Sequence, residues 1–418
     1  MNRCLIMITT SFPFTSGEPY LETELPYAAQ SFDRVLLFTI GLDRGAQLRY
    51  TDIPQNVIVC NPSKGSAKKA KLLDLIHGLP ALLHFGKKYK SEAAATGCSP
   101  LKRLFAGYLI SRSERHCNEI YNCISDIDFS VFDEVVLYGY WLFAAAATAV
   151  LLKEKIYSLG AKKVKVISRA HSYDVYEYAN RLNFLPLRCF LLKNLDGVYT
   201  CSENGREYIL KKHPEYSDKI SVSYLGTEGG IFTKGSDDGV FRILTCSRTI
   251  PLKRLDRLVR ALVLLDGKGL KLSWTHIGDG PSLDEIKLLA DEKLGFMNVS
   301  FKGEMAHDDV IDYMRENTFD LFVNVSQREG LPVSVMEAIS FGIVCAVTDV
   351  GGCREIITDG VNGFVLPCDV SDEELSRCIF CASQKDLSEM RRNAFDIWQK
   401  KFTASKNYSG FINKTGNI

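Results

Sequence analysis

The sequence predicts an α/β protein with two parallel sheets, and three observations support this prediction. The second half alternates short apolar runs with amphipathic segments, which is typical of strands and helices that build a parallel sheet covered on both faces. The first half repeats this alternation less regularly. The length of 418 residues suits two large domains or three small ones, at roughly 100–200 residues per domain.

Apolar runs predict the strands, and apolar residues spaced three and four apart predict the helices between them. In the second half the predicted strands are Phe241–Cys246, Leu272–Ile277, Val299–Lys302, Leu321–Val325, Val344–Thr348 and Phe364–Leu366. The predicted helices there are Leu255–Leu265, 282–293, 308–316, Val333–Phe341 and Asp372–Ala382. In the first half the predicted strands are Cys4–Thr9, Val35–Thr39, Val57–Cys60, Val135–Tyr138, Val164–Arg169 and Gly197–Cys201, with helices between them.

The domain boundary is predicted in the stretch 228–239, which is rich in glycine and polar residues. Such a composition is typical of a connection between domains. We therefore predict an N-terminal Rossmann-like domain over residues 1–228 and a C-terminal one over residues 229–387. In open parallel sheets of this kind, ligands bind at the carboxyl ends of the strands.

The composition is that of a soluble globular protein, with 46% hydrophobic and 24% charged residues. Lys and Arg number 51 and Asp and Glu 50, so the net charge of +1 gives no support to nucleic-acid binding. The thirteen scattered cysteines are expected to be buried apolar side chains and not a disulfide framework. The first apolar run is too short for a signal peptide, and none reaches the roughly 20 residues of a membrane helix. We therefore expect a cytoplasmic protein.

The most informative stretch contains two glutamates eight positions apart, Glu329 in a turn and Glu337 in the helix that follows. Pro332 suits the first turn of that helix, because this position has no intrahelical N–H bond to lose. The free N–H groups and the positive dipole end of the helix favour a phosphate. Glu329 would then face what the phosphate carries, and Glu337 could bind neighbouring hydroxyls such as those of a ribose. The alternative is a buried helix with two solvated acids.

A second turn carries two cations, Arg248 and Lys253, between a predicted strand and a predicted helix. An arginine offers a planar bidentate fork and a lysine offers a point charge, so together they can neutralise a diphosphate without a metal ion. The alternative is a solvated basic turn.

The E-x7-E spacing of Glu329 and Glu337 resembles the signature of the family 4 retaining glycosyltransferases, and the glycine and acid positions in 351–355 and 359–363 fit the same pattern. The resemblance implies the GT-B fold, in which two Rossmann-like domains face each other across a cleft. The N-terminal domain would bind the acceptor and the C-terminal domain the nucleotide sugar. It also implies that residues 388–418 contain a helix that crosses back to the N-terminal domain.

The resemblance assigns most of the donor site. In the family, an Arg and a Lys at the places of Arg248 and Lys253 contact the donor's pyrophosphate, and Arg254 here replaces a common glycine. Glu329 would be catalytic through the donor sugar, and Glu337 would bind the ribose. The other implied donor contacts are Gly330, Leu331, Pro332 and Val333 in the turn, Glu304 and Met305 near the base, Gly17 in the first loop, and the Gly-x-Gly-Pro turn 278–281 close by.

His171 follows a predicted strand of the first domain and matches the family's H-x-x-D position together with Asp174. The resemblance implies that His171 contacts the donor sugar as a second catalytic residue. A lone histidine is otherwise more often structural. Asp174 is expected to position this histidine or to cap a helix.

The acceptor is predicted to meet the loop after the first strand and a neighbouring strand end. Glu18, Tyr20 and Glu22 are candidates in the first loop, where many family members carry two glycines and this chain has only Gly17. Tyr140 could stack on a sugar ring, although a packing role fits its sequence equally well.

These assignments predict a retaining glycosyltransferase that moves a hexose from a UDP- or GDP-linked sugar to a saccharide or lipid-linked saccharide acceptor. The start of the chain resembles bacterial enzymes of surface-polysaccharide biosynthesis, which make capsule, O-antigen or exopolysaccharide. No cofactor and no metal are expected. The alternatives are a nucleotide-sugar epimerase of the same fold and a non-catalytic assembly protein.

Residues 64–90 are basic at both ends and apolar between them. As a helical hairpin, this segment could lie peripherally on the anionic face of the inner membrane, near a lipid-linked acceptor. The alternative is a core helix with solvated lysines.

Overall fold

The computed structural model describes residues 2–15, 17–63 and 65–416, and the chain divides into two compact units. The first unit runs to Ser223 and includes the chain again from Tyr408, and the second is Tyr224–Asn407. The first boundary thus lies five residues before the predicted one at 228. The chain returns to the first unit at Tyr408, later than the predicted 388.

The first unit is built on a parallel seven-stranded sheet with the strand order β3-β2-β1-β4-β5-β6-β7. Its strands are β1 (Arg3–Thr9), β2 (Arg34–Thr39), β3 (Val57–Cys60), β4 (Glu134–Gly139), β5 (Val164–Ala170), β6 (Gly197–Thr200) and β7 (Ile220–Val222). Its helices are α1 (Tyr20–Ser31), α2 (Ala67–Gly78), α3 (Lys90–Thr96), α4 (Pro100–Ile124), α5 (Ala144–Ser158), α6 (Arg188–Asn194) and α7 (Glu203–Lys212).

The first sheet is buried on both faces, as its near-continuous apolar strands predict. On β1, Cys4 and Ile6 face one apolar cluster, and Leu5 and Met7 face another on the opposite side. In register, Leu5 lies between Val35 of β2 and Val136 of β4.

A buried arginine connects the sheet of the first unit to the end of the chain. Arg169 of β5 is fully buried, and its Nη2 lies 3.4 Å from Oε1 of Glu24 on α1. Its Nη1 donates to the carbonyl of Ser223, and its guanidinium lies 4.1 Å from the ring centre of Phe411. Because a buried cation must be paired, these contacts help to fix the segment that returns after residue 407 on this sheet.

The second unit contains a parallel six-stranded sheet with the order β10-β9-β8-β11-β12-β13. Its strands are β8 (Val240–Cys246), β9 (Lys271–Ile277), β10 (Asn298–Phe301), β11 (Leu321–Asn324), β12 (Val344–Thr348) and β13 (Gly363–Leu366). Its helices are α8 (Leu255–Val263), α9 (Leu283–Lys293), α10 (His307–Glu316), α11 (Val333–Ser340), α12 (Cys353–Ile356), α13 (Asp372–Ser383) and α14 (Ser388–Lys401). The last helix, α15 (Ala404–Gly416), begins in this unit and belongs to the first unit from Tyr408.

The predicted α/β class and parallel sheets are confirmed, and every predicted strand is present with ends within one residue. The prediction of a helical hairpin in residues 64–90 is wrong for the described part, residues 65–90. Lys64 lies outside the described residues. α2 is followed by short 3₁₀ segments at Leu79–Leu82 and Lys87–Tyr89, and its packing partner is α4. Within the described residues, no helix combines the length and the apolar composition that a membrane crossing requires.

Candidate active site

The loops that follow β8, β9, β11 and β12 lie at one edge of the second sheet, because these strands run parallel. These loops are residues 247–254, 278–281, 325–332 and 349–352. Four segments that are distant in sequence therefore meet, and they contain both predicted turns of the donor site.

An ion pair joins the two predicted turns. Nζ of Lys253 donates to Oε1 of Glu329 at 2.6 Å, and Nδ2 of Asn324 donates to the same oxygen at 3.2 Å. The side chains of Lys253 and Glu329 keep exposed fractions of 20% and 11%, so a ligand can still reach them. The sequence predicted both residues for one ligand, and the structure brings them into direct contact.

Arg254 fixes the cationic turn to the acidic one. Its backbone adopts the left-handed conformation, with φ 51° and ψ 41°, where a glycine would be free of strain. Its side chain is buried, and it donates to the carbonyls of Val325 and Ser326 at 2.5 and 3.1 Å. The arginine that replaces the family's common glycine is therefore compatible with the turn, because its side chain fills a defined site.

Two glycines allow the acidic turn to pack closely on the loop after β12. A Cβ on Gly351, which has φ +53°, would lie 2.1 Å from the carbonyl oxygen of Glu329. The N–H of Gly352 donates to the carbonyl of Gly330 at 2.7 Å. The glycine pair singled out in the sequence thus sets the position of the Glu329 backbone.

The Gly-x-Gly-Pro turn supports the backbone around Arg248 in the same way. A Cβ on Gly278 would lie 1.9 Å from the carbonyl oxygen of Ser247, and one on Gly280 would lie 2.3 Å from that of Thr249. The N–H of Thr249 also donates to the carbonyl of Asp279 at 2.8 Å. Side chains at these two positions would push the cationic turn away from the sheet.

The side chain of Arg248 is exposed and makes no hydrogen bond or ion pair with any described residue. Its neighbour Lys253 is already paired with a carboxylate. The guanidinium of Arg248 therefore keeps all of its N–H donors available to an anion.

A buried histidine holds the hydroxyl next to Arg248. The ring nitrogens of His276 lie 2.9 Å from Oγ1 of Thr245 and 2.9 Å from Oγ1 of Thr249. Nε1 of Trp274 donates to the Thr245 hydroxyl at 2.9 Å. Burial lowers the pKa of His276 to about 4, so the ring is neutral near pH 7 and serves as a hydrogen-bonding link.

Glu337 lies one turn into α11 and is paired with a histidine that the sequence analysis did not identify. Nε2 of His307, the first residue of α10, lies 2.8 Å from Oε1 of Glu337. The Glu337 side chain is 6% exposed and that of His307 is 20% exposed. His307 therefore orients this carboxylate from outside the predicted motif.

The helix that carries Glu337 begins at Val333, with Pro332 as its N-cap, one residue earlier than the first-turn position predicted for the proline. No side chain caps this end. Gly330 and Leu331 are buried in the turn before it. The helix therefore keeps uncapped N–H groups at its start, as anion binding requires.

Glu304 and Met305 follow β10 at the same edge of the sheet. Glu304 is exposed and Met305 is half-buried. The preceding Gly303 accepts a hydrogen bond from the N–H of Gly278 at 2.8 Å, which links this loop to the Gly-x-Gly-Pro turn. Their predicted role near a nucleotide base stays a prediction.

In the first unit, Glu18 organises its own loop. Its buried carboxylate accepts hydrogen bonds from the N–H groups of Thr10, Ser11 and Phe12 at 2.7–3.1 Å and from the indole N–H of Trp141. These donors satisfy a carboxylate that the sequence analysis assigned to an acceptor. The structure gives Glu18 a supporting role in the loop, because its oxygens point inward.

Gly17 and Tyr20 lie in the same region. Gly17 is exposed, and a Cβ there would lie 2.4 Å from Oγ of Ser11, so any larger residue would require the Ser11 side chain to move. Tyr20 is half-buried, starts α1, and its ring centre lies 6.5 Å from that of His171. Their predicted contacts with donor and acceptor remain predictions.

His171 is buried against the rings of Tyr140 and Trp141, with centres 4.7 and 4.5 Å away. The backbone N–H of His171 donates to Oδ1 of Asp174 at 2.9 Å, and the ring Nδ1 of His171 lies 4.0 Å from Oδ2 of Asp174. Neither ring nitrogen has a hydrogen-bond partner among the described residues. Asp174 thus positions the turn around His171, as predicted, and the imidazole keeps unsatisfied polar atoms, a cost that a bound hydroxyl would remove.

Asp174 is charged in this setting. Burial by itself raises the pKa of its carboxyl group, but the histidine and the N–H groups of His171 and Leu142 outweigh that effect and hold the pKa below its ordinary value. The carboxylate also accepts from the N–H of Leu142 at 2.8 Å. It therefore joins the loop after β4 to the loop after β5.

Tyr140, predicted either to stack on a sugar or to pack, packs. Its side chain is fully buried, and its ring centre lies 6.0 Å from that of Tyr138, 5.9 Å from that of Trp141 and 4.7 Å from that of His171. The full burial of the ring supports the packing role.

Comparison with known families agrees with this geometry. Residues 231–395 match the family described as Glycosyl transferases group 1. The matched stretch includes both turns, with Arg248, Lys253 and Glu329, and also Glu337.

Among curated relatives, the chain is 24% identical over 232 residues to the phosphatidylinositol N-acetylglucosaminyltransferase GPI3 subunit of Saccharomyces cerevisiae, covering 53% of this chain and 49% of the relative. It is 24% identical over 186 residues to the putative glycosyltransferase EpsF of Bacillus subtilis, covering 42% and 47%. The chain spans about half the length of these relatives.

Among solved structures, HepE from Anabaena in complex with UDP and glucose matches with a TM-score of 0.65 at 15% identity, covering 100% of both chains. At this identity the likeness concerns the fold. Together with the two parallel sheets, it confirms the predicted GT-B fold.

Replacement of Arg254 tests the strained position in the cationic turn. Arg254→Ala and Arg254→Gly both lose the two hydrogen bonds, but only alanine keeps a Cβ in the left-handed conformation. We expect the alanine variant to be less stable than the glycine variant by about 1 kcal/mol in urea denaturation. At the exposed helical Arg392 the order should reverse, because alanine favours a helix. The same order at both positions would contradict the strain.

The stability of the protein should depend on His276 below neutral pH. The folded pKa of about 4 lies below the ordinary 6.5, so this stability is complete above pH 6.5 and is lost as the pH falls towards 4. The loss should reach about 3 kcal/mol. Thermal unfolding from pH 7.5 to pH 4.5 should therefore be less steeply pH-dependent in His276→Gln than in the wild type. Parallel curves for the two proteins would show that His276 does not titrate in this way.

Proposed function

We propose that this GT-B chain, which carries a glycosyl transferases group 1 domain at residues 231–395, is a retaining glycosyltransferase. Its donor would be a UDP- or GDP-linked hexose, and its acceptor a saccharide or a lipid-linked saccharide in surface-polysaccharide biosynthesis. The observation that carries the proposal is the 2.6 Å contact between Lys253 and Glu329, beside the free cation Arg248. A sugar diphosphate has the matching groups, because its diphosphate can pair with the two cations and its sugar hydroxyls can donate to Glu329.

Charge builds up on the leaving diphosphate when the glycosidic bond to the donor breaks. Arg248, Lys253 and the uncapped start of α11 are positioned donors at one edge of the sheet, and such preorganised donors are the strongest means of stabilising that charge. The two cations provide this stabilisation from the chain itself.

The sugar and the ribose would be held by the two glutamates. Glu329, fixed by Lys253 and Asn324, would accept hydrogen bonds from sugar hydroxyls and orient the ring. Glu337, held by His307, would accept from the ribose hydroxyls. His171, with its unsatisfied ring nitrogens, is the candidate for a further contact with the donor sugar.

Retention would follow from attack on the same face of the sugar. The acceptor oxygen forms a bond to the anomeric carbon while the bond from that carbon to the phosphate oxygen breaks. The departing phosphate oxygen takes the acceptor's proton, as the resemblance implies, so the step needs no covalent intermediate on the protein.

The names of two similar proteins support the proposed donor class. The GPI3 subunit is named as an N-acetylglucosaminyltransferase, and HepE was solved with UDP and glucose. The first name specifies a transferred sugar, and the HepE complex contains a nucleotide together with a sugar, which favours a nucleotide-sugar donor for this chain.

The test is thermal stabilisation by a panel of UDP-, GDP-, ADP- and CMP-sugars with EDTA present. A ligand at 100 times its Kd adds about 2.7 kcal/mol of stability. We expect a shift with one nucleotide class, reduced in Arg248→Ala and retained in Lys271→Ala, which removes an exposed cation at the start of β9. No shift with any sugar, or a shift that depends on metal, would count against the proposal. Conversion of the donor without an acceptor would indicate an epimerase.

Removal of Arg248 should weaken catalysis more than folding. The loss of one charge-assisted donor to the leaving diphosphate should raise the barrier by about 2–4 kcal/mol. This corresponds to a fall in kcat/KM of about 30- to 900-fold. The fold should be unaffected, because the side chain is exposed and unpaired. An unchanged kcat/KM with the identified donor would remove Arg248 from the diphosphate site.

A further inference from the structure

The helix α2 places its large apolar side chains outward. Leu72, Ile76 and Leu79 follow a spacing of four and three, so they form one stripe, and their exposed fractions are 59%, 48% and 46%. Leu83, after the next turn, is 90% exposed. A surface helix normally turns such a stripe towards the core. We call these four side chains the α2 stripe.

The inward face of α2 is small and polar instead. Its buried residues are Asp74 and Gly78. A Cβ on Gly78 would lie 2.5 Å from the carbonyl carbon of Gly107 on α4, so the two helices touch through their backbones. The carboxylate of Asp74 accepts a hydrogen bond from Nη2 of Arg115, which is also on α4, at 2.7 Å. The helix is therefore held in a fixed orientation without using its leucines.

The α2 stripe is bordered by positive charge at both ends. Exposed lysines lie before and beside it at Lys68, Lys69 and Lys71 and after it at Lys87, Lys88 and Lys90. Residues 65–91 contain one acidic residue, Asp74, which is buried and paired with Arg115. The exposed face of this segment thus carries apolar and cationic side chains together.

We infer that the α2 stripe and its lysines dock the first unit on an anionic lipid surface. The leucines would enter the interfacial region of the bilayer, and the lysines would meet anionic headgroups. Lysine carries its charge on a flexible stem, which lets the ammonium stay in the headgroup layer while the leucines are buried.

A second copy of this chain fits the surface less well. In a two-fold dimer the same patch lies on both subunits, so six lysines would meet six lysines around the leucines. The inference is independent of the proposed donor site, whose residues lie in the second unit.

The experiment is co-sedimentation of the full chain with vesicles of phosphatidylcholine alone or of phosphatidylcholine and phosphatidylglycerol in equal parts. We expect binding to the anionic vesicles that weakens as salt is raised. Leu72→Ser combined with Ile76→Ser should lower the partition coefficient roughly tenfold or more, because two large apolar side chains no longer enter the bilayer. Lys68→Gln, Lys69→Gln and Lys71→Gln together should weaken the preference for anionic lipid, because they remove three of the six lysines.

The matched control is Leu264→Ser combined with Leu288→Ser, which removes exposed leucines of the second unit with exposed fractions of 42% and 71%. This control should bind as the wild type does. All variants should keep the wild-type Tm, since the replaced side chains are exposed.

Absence of binding to anionic vesicles, or equal loss in the control, would overturn the inference. A dimer in light scattering that disappears in Leu72→Ser with Ile76→Ser would also overturn it and identify a second copy as the occupant. Binding of nucleotide sugars, measured on the same variants, reports separately on the proposed function.

Discussion

The parallel alignment of β8, β9, β11 and β12 is the constraint on which the candidate site depends. It brings four loop ends to one edge, where short side chains would leave gaps and large ones would collide. Glycines at 278, 280 and 351 remove the collisions, and Arg254 fills the remaining space between two turns. The chemistry of the site therefore rests on backbone contacts, with the charged groups held at the ends of a rigid frame.

Much of this arrangement could be predicted from the sequence, because its signals are local. Apolar runs bounded by turn residues located every predicted strand, and β12 was located without error at Val344–Thr348. The turn with Glu329 and the helix that begins at Val333 were also found, since glycine, proline and acid positions follow one another closely. The family resemblance assigned Arg248, Lys253 and Glu329 to one donor site, and Lys253 contacts Glu329 directly.

The rest depends on contacts between residues that are distant in sequence, and no local pattern reports them. His307 meets Glu337 across 30 positions, and His276 meets Thr249 across 27. The apolar side chains of α2 face outward because the helix packs on α4 through Gly78 and Gly107. The spacing of apolar residues in the sequence could not indicate this contact. For the same reason, the inward carboxylate of Glu18 could not be read from an acidic residue in a loop.

The contact between Lys253 and Glu329 also affects which anions the proposed donor site would attract. A pocket with two free cations would collect inorganic phosphate and other abundant anions. Of the two cations predicted for the diphosphate, Lys253 carries its own counterion, and Arg248 forms no ion pair with a described residue. A bound anion can pair with Lys253 only if it displaces Glu329. The displaced carboxylate then needs new hydrogen-bond donors, which simple anions lack and sugar hydroxyls possess. Under the proposed function, the Lys253–Glu329 pair would therefore favour ligands that carry phosphate and sugar together over simple anions.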